Sequence, residues 1–307
     1  MKIILSGTTG LIGQSLVNAL LPHYQLVVIS RNRFKAKQIL RSNLIDYVDW
    51  NQPIVELAEA FRGSNALINL TGAGIADKPW TEKRRQELMS SRIEPMYNLT
   101  CLLASANIHL DVVIQASAIG YYGHSPDLTF TEQSPKGQGF LAEITEMWEG
   151  AATEFKRIAD RIILIRSGVV LSKNGGAFPQ IVKPFRMFAG GPIGHGRQYI
   201  SWIHIEDEIS AILHLLQDDK ASGAYNLCSP NPVMQSWMAK KIGQALNRPS
   251  FLPLPAFVIK AILGRTRATE LLLNSTKAIP QRLFDSHFHF KYPDIQDAIE
   301  NLLSKKQ

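Results

Sequence analysis

The residues with the most legible chemistry stand at the front of the chain. Ser6 runs into Gly7-Thr8-Thr9-Gly10-Leu11-Ile12-Gly13, a G-x-x-G-x-x-G spacing. Glycines so spaced allow a tight turn, a close approach of main chain to a diphosphate, and tight contact between a strand and the helix that follows. The helix then offers its free N–H groups and its positive dipole end to the phosphates. A dinucleotide is the expected ligand; the plainer alternative is a tight turn that binds nothing. The next informative stretch is Ser30-Arg31-Asn32-Arg33, where an NAD site usually places an acid to accept from the ribose 2′-OH. Residues 31–41 instead hold Arg31, Arg33, Lys35, Lys37 and Arg41 with no acid. Arg33, Lys37 and Arg41 share i, i+4 spacing and read equally well as a solvated helix face. Arg31 precedes that helix, so it favours a 2′-phosphate and hence NADP(H) over NAD(H).

These residues need a scaffold, and the hydrophobic pattern supplies one. Short apolar runs at Ile3–Leu5, Leu26–Ile29, Ala66–Leu70, Val112–Ala116 and Ile162–Ile165 are the size of strands covered on both faces. Helix-length segments at 11–21, 34–41, 54–62, 81–107 and 139–157 lie between them. Strand alternating with helix predicts an α/β fold, a Rossmann-like doubly wound parallel sheet. Past residue 170 glycines gather at 175, 176, 190, 191, 194 and 196, and prolines punctuate the chain after Ser229. The expected organisation is a dinucleotide-binding domain over 1–173, its sheet completed by 199–228. A smaller, mainly helical substrate-side domain takes 174–198 and 229–307.

Composition narrows the classes. At 307 residues, 45% hydrophobic and 19% charged, the chain is an ordinary globular one. A net charge of +7 is too weak at this size to predict nucleic-acid binding. Cys101 and Cys228 alone make neither a disulfide framework nor a metal cluster, so a reducing, cytoplasmic home is expected. The apolar start Ile3-Ile4-Leu5 stops at Ser6, too short for a secretory signal, and no run of 18 apolar residues predicts a membrane span. His287 and His289 would share a face of an extended segment, but nothing in register supplies further ligands, and no metal is expected.

The glycine turn resembles that of the extended short-chain dehydrogenase/reductase superfamily. Ala116-Ser117-Ala-Ile-Gly-Tyr-Tyr122-Gly123 is similar to its serine-bearing fifth strand, and Arg166-Ser-Gly-Val-Val170 and Trp202-Ile-His-Ile-Glu-Asp207 resemble two later landmarks. More narrowly, Asn69-Leu-Thr-Gly-Ala73, Ser91-Arg-Ile93, Trp148-Glu149, Gly190-Gly-Pro-Ile-Gly194, Tyr225-Asn-Leu-Cys-Ser-Pro230 and Ile279-Pro280 through Phe290 resemble a branch described as nucleoside-diphosphate-sugar epimerases. The resemblance implies that Gly7, Gly10, Leu11, Ile12 and Gly13 hold the pyrophosphate and that Arg31 meets the 2′-phosphate. Asp49 or Trp50 would lie near adenine, and Leu70, Thr71 and Gly72 would pass the nicotinamide ribose. Ser117 would sit beside the nicotinamide, at the substrate oxygen.

One departure stands out. The superfamily works with Tyr-x-x-x-Lys, whose spacing puts both side chains on one helix face and whose lysine lowers the phenol pKa. None of the eight tyrosines here has a lysine four residues on; taking Trp148-Glu149 as the anchor, Leu141 and Thr145 fill the two positions. Tyr122 is the candidate replacement alongside Ser117, with Tyr121, Glu143 and Glu146 as further options; the plainer alternatives are packing against the loop for Tyr122, a strand-end hydroxyl for Ser117 and a solvated helix face for the glutamates. Arg186, His195, Arg197 and Gln198 flank the glycine-rich segment and suit an anionic substrate. Asp207 and His204 read as structural. A nucleophile elbow is absent, since Gln115-Ala-Ser-Ala-Ile119 stands where glycines would be needed. The sequence therefore reads as an NADP(H)-dependent oxidoreductase of the extended short-chain type with an unknown small substrate. The alternatives are a catalytically inactive NADP(H)-sensing protein, or a nucleotide-sugar epimerase with substituted acid and base.

Overall fold

The computed structural model describes residues 1–304. The chain opens as β1 (Lys2–Ser6), α1 (Leu11–Leu20), β2 (Gln25–Ser30), α2 (Arg33–Leu40), β3 (Ile45–Asp49), α3 (Ile54–Phe61), β4 (Ala66–Asn69), α4 (Glu82–Ser105) and β5 (Leu110–Ala118). It continues through β6 (Thr129–Phe130), α5 (Phe140–Ala151), β7 (Ala159–Ser167), β8 (Val169–Ser172), β9 (Gly175–Gly176), α6 (Ala177–Arg186), β10 (Tyr199–Ile200), β11 (Trp202–His204) and α7 (Ile205–Gln217). The last part holds β12 (Gly223–Leu227), β13 (Val233–Met234), α8 (Gln235–Leu246), α9 (Ala256–Leu263), α10 (Arg265–Ala268), β14 (Lys277–Ala278), α11 (Gln281–Asp285) and α12 (Ile295–Leu303).

Seven strands form one parallel sheet in the order β12-β7-β5-β4-β1-β2-β3. The strand order reverses between β1 and β4, whose last paired residues are Ser6 and Asn69. Ligands of such sheets bind outside the carboxyl ends of the strands at that switch point. Each sheet face buries its own core. Ile3, Leu5, Val28, Ile68 and Ile114 meet Leu16, Leu20, Ile212 and Leu215 on one side, while Ile4, Val27, Leu67 and Val113 meet Phe61, Leu99, Leu103, Trp148 and Phe155 on the other. Burial on both faces is why these strands read as unbroken apolar runs.

The segment 199–228 divides its loyalties. Gly223–Leu227 joins the sheet edge beside β7, but Trp202–His204 pairs with β8 in a separate three-stranded sheet with β9. The split happens at Gly168, where the chain leaves one sheet for the other. The Gly168 N–H bonds Leu227 O, the next N–H bonds Ser201 O, and a side chain at 168 would lie 2.8 Å from Ser201 O. The long helix expected over 139–157 likewise ends at Ala151 and tightens into a 3₁₀ turn over Ala152–Arg157.

A candidate dinucleotide site and the polar network beside it

At the switch point the glycine turn is tightly built. Gly7 adopts φ +79°, and a Cβ there would lie 2.5 Å from the Leu70 carbonyl carbon. A Cβ on Gly13 would lie 2.5 Å from Thr8 Cα, so the first turn of α1 packs tightly on the turn that follows β1. Gly10, by contrast, is exposed, and only Gly7 O stands within 4 Å of an added Cβ. It is the N-cap of α1, with no side-chain cap and no acid in the first turn. The N–H groups of Leu11, Ile12 and Gly13 begin the helix there and so lack the i−4 carbonyls that later residues use. This fits an anion: main-chain donors without a competing carboxylate, open to solvent at the end of the sheet.

Arg31 is exposed just past β2, at the same end of the sheet. The acid that ends β3 is committed elsewhere, since Asp49 Oδ2 accepts from the Arg33 N–H at 3.3 Å and Oδ1 from the Asn51 N–H at 3.0 Å. Asp49 thus fastens the loop around Arg31 to β3. The half-buried Trp50 packs against the core next to it. Leu70 donates its N–H to Ser6 O, Thr71 Oγ1 lies 2.5 Å from Ser6 Oγ, and Gly72 stands exposed over the Arg92 guanidinium.

The loop after Gly72 is held by cations. Arg92 donates to Ala73 O, Arg84 to Gly74 O at 2.6 Å, and Arg267 of α10 to Ala76 O, while the Trp80 indole N–H takes Ile75 O. Burial, and then the neighbouring Arg84 charge, pulls the Arg92 pKa down to about 10. Three guanidiniums thus surround one short loop at the mouth of the cleft.

Leu141 and Thr145, the positions that the resemblance sets against the Tyr-x-x-x-Lys pair, lie on helix α5. A Cβ on Gly120 would lie 3.2 Å from Leu141 Cβ and 3.7 Å from Thr145 Oγ1, so these two residues face the turn after β5. Thr145 gives its hydroxyl proton to Leu141 O at 2.6 Å. Neither group titrates. Glu143 and Glu146 point outward from the same helix, and Glu146 pairs with Lys136 at 2.6 Å. The N-terminus of α5 is capped from far away: Glu270 accepts from the N–H groups of Phe140 and Leu141 at 3.1 and 2.8 Å.

One turn beyond Thr145, Glu149 organises a network that spacing did not reveal. Ser117 donates to Glu149 Oε1 at 2.5 Å, and Arg166 grips both carboxylate oxygens at 2.7 Å. Arg166 also donates to the Tyr122 hydroxyl at 2.9 Å, and that hydroxyl donates to Asn226 Oδ1 at 2.7 Å. Ser117 and Arg166 are register partners on β5 and β7, which is why they share a face. Tyr122 therefore takes a different part from the proton-transfer role expected of it. It is 1% exposed, its hydroxyl is engaged in both directions, and burial pushes its pKa up to about 12. Tyr121 instead lies flat against Arg166, 3.6 Å from guanidinium carbon to ring centre. Ser117 is 5% exposed, with its single hydroxyl proton directed at Glu149.

The glycine-rich segment is anchored. Ile193 bridges to Leu254, and Gln198 donates to the carbonyls of Ile193 and Leu272. His204 accepts from the Glu206 N–H, and Asp207 accepts from the N–H groups of Lys291 and Tyr292. His287 and His289 line a shallow cavity with Phe284, Phe288 and Phe290. Among the described residues no group of three or more His, Cys, Asp or Glu could hold a metal ion, and no helix is long and apolar enough to cross a membrane.

Comparison with known proteins brings this geometry a set of relatives. Residues 3–141 match the model of the NAD dependent epimerase/dehydratase family, and residues 254–302 match a domain of unknown function, DUF1731. An Arabidopsis thaliana protein named "Epimerase family protein SDR39U1 homolog, chloroplastic" is 35% identical over 99% of this chain and 87% of its own length. The Bacillus subtilis epimerase family protein YfhF is 33% identical over 100% of this chain and 99% of its own. The crystal structure of human epimerase family protein SDR39U1 (isoform 2) with NADPH superposes with a TM-score of 0.86 at 29% identity, covering 98% of this chain and 99% of that one.

Proposed function

The chain belongs to the NAD dependent epimerase/dehydratase family, and from that premise we propose that it is an NADP(H)-dependent oxidoreductase acting on a small substrate that bears a hydroxyl group. The observation that carries this reading is the open N-terminus of α1, where Gly10 leaves main-chain donors uncapped at the switch point of the sheet. Leu11, Ile12 and Gly13 would hold the diphosphate, with Gly7 and Gly10 giving it room. Arg31 would meet the 2′-phosphate, in a stretch with no acid to favour an unphosphorylated ribose. The crystal structure of the human relative with NADPH supports that choice. Leu70, Thr71 and Gly72 would pass the nicotinamide ribose, and Asp49 and Trp50 would stand on the adenine side.

When bound, the cofactor supplies a hydride donor or acceptor. The chain's own part is the proton. Ser117 directs its only hydroxyl proton at Glu149 in a hydrogen bond, so toward a ligand its Oγ offers only lone pairs. It suits a substrate hydroxyl, not a carbonyl. In this reading Ser117 Oγ accepts from that hydroxyl and releases its own proton to Glu149, whose carboxylate Arg166 keeps oriented. Tyr122 is a positioning residue that holds Arg166. Arg92 and Arg267 beside 73–76 favour a substrate carrying negative charge, while Arg84 is already paired with Glu87 at 2.8 Å. A second reading, an NADP(H) sensor without turnover, is favoured by Leu141 and Thr145, which the resemblance sets against the acid–base pair.

The decisive experiment is a side-by-side titration with NADPH and NADH, read by nicotinamide fluorescence, followed by a turnover screen with alcohols and carbonyl compounds. Tight NADPH with weak NADH and a turnover that Ser117→Ala abolishes is the expected result. Tight NADPH with no turnover across the screen would leave the sensor. Failure to bind either cofactor would overturn both.

A further inference from the structure

A broad apolar face is built by α6, α8, α9 and the loops that join them. Met187 and Phe188 after α6, Trp237 on α8, Phe251, Leu252 and Leu254 on the following loop, and Phe257 and Ile262 on α9 are all exposed; Phe251, Phe257 and Ile262 are more than 70% so. Of the eight residues of α9, Ala-Phe-Val-Ile-Lys-Ala-Ile-Leu, only Ile259 is buried. The pieces are contiguous. The Leu252 N–H bonds Gly190 O, the Leu254 N–H bonds Pro192 O, and the Arg248 guanidinium lies 4.2 Å from the centre of the Phe188 ring.

The segments that build this face carry charge of one sign. Residues 161–205 and 220–269, which between them supply every side chain just named, contain lysine and arginine but no aspartate or glutamate. Lys183, Arg186, Arg248, Lys260 and Arg265 are exposed among the apolar side chains. A second copy is a poor occupant: a twofold contact sets the same patch against itself and brings cations to cations, with no acid in these segments to meet them. Aromatic and aliphatic side chains interspersed with lysine and arginine are what settles a protein into the headgroup region of an anionic bilayer.

We propose that this face, centred on α9, docks reversibly on an anionic lipid surface. The apolar side chains enter the boundary between headgroups and acyl chains, and the cations lie against lipid phosphates. Binding then needs both parts, because neither a few exposed aromatics nor five cations alone hold a protein firmly on a bilayer.

The test is co-sedimentation of the full chain with vesicles of phosphatidylcholine alone and of phosphatidylcholine doped with phosphatidylglycerol, at low and high salt. Binding is expected to the anionic vesicles, weakening as salt rises. Phe257→Glu with Ile262→Glu should reduce it at least about tenfold, given the transfer preference of two such side chains. Lys260→Glu with Arg265→Glu should reduce it as well. All four side chains are exposed, so melting temperature and NADPH affinity should not move. Equal binding to both vesicle types, no binding to anionic vesicles at low salt, or full binding by the Phe257/Ile262 variant would each overturn the proposal. So would a dimer that Phe257→Glu dissociates, or capture that needs an acidic protein and not lipid.

Discussion

Glu149 Oε1 lies 2.5 Å from Ser117 Oγ and 2.7 Å from Arg166 Nε, so one carboxylate oxygen is shared between a hydroxyl at the end of β5 and a guanidinium on β7. Glu149→Gln keeps the shape and removes the charge. It should lower turnover by two orders of magnitude or more, on the order of a lost general base, while NADPH affinity stays within about twofold of the parent. Glu149 is 11% exposed and its partner 6%, so breaking this buried pair should also cost roughly 3 kcal/mol of stability. Stopped-flow turnover, cofactor titration and thermal unfolding separate the three effects. Unchanged turnover would remove Glu149 from the proton path.

Cofactor choice rests on Arg31. Its replacement by alanine should weaken NADPH by roughly 1.5–3 kcal/mol, the worth of a hydrogen bond to a charged group, and barely change NADH. Calorimetric titration of both cofactors against both proteins reads this directly. Equal losses for the two would mean that Arg31 does not meet the 2′-phosphate.

Tyr122 makes a contrasting prediction. With its hydroxyl bonded to Arg166 and Asn226 inside the protein, Tyr122→Phe should destabilise the fold by about 1–3 kcal/mol through the partners left unpaired. The pH dependence of turnover should keep its shape, because a phenol held near pKa 12 does not titrate in the working range. A limb of the pH profile that vanished in this variant would restore Tyr122 to the chemistry.

Glu208 should shape the pH dependence of stability. It is fully buried at the start of α7, accepts from Ser167 Oγ at 2.6 Å, and burial pushes its pKa up to about 8 from an ordinary value of 4.5. The folded state therefore keeps a proton that the unfolded chain gives up as pH rises above 4.5. Stability should fall between that pH and about 8 and level off beyond. Glu208→Gln should flatten this slope and stabilise the protein at pH 8.5 by at most roughly 5 kcal/mol. Denaturant melts across that range would show it.

What the sequence made legible is what depends on neighbours along the chain. Gly7 and Gly13 could be placed because a positive φ and a close contact of helix on turn are demands on single residues. The alternation of apolar runs and helices followed from burial on both sheet faces. The strand at 202–204 was legible as a strand, but its choice of β8 over the main sheet was not, because periodicity does not encode the partner. The network around Glu149 joins residues 17, 32 and 104 positions apart, and Trp148-Glu149 was visible only as a family landmark. Leu141 and Thr145 could be set against the Tyr-x-x-x-Lys positions from spacing alone; the hydroxyl–carboxylate contact one turn further on belongs to the tertiary fold.

The cap on α5 carries a consequence for how this protein can be recombined. Glu270 reaches back 129 residues to satisfy the Leu141 N–H, and Arg267 reaches from the same stretch to Ala76. A hybrid that drew its first half from one relative and its last fifty residues from another would inherit a helix start and a loop fitted to a different parent's side chains. Such hybrids should work only when positions 267 and 270 travel together with the segments around 73–76 and 139–141. These separated stretches are one heritable unit.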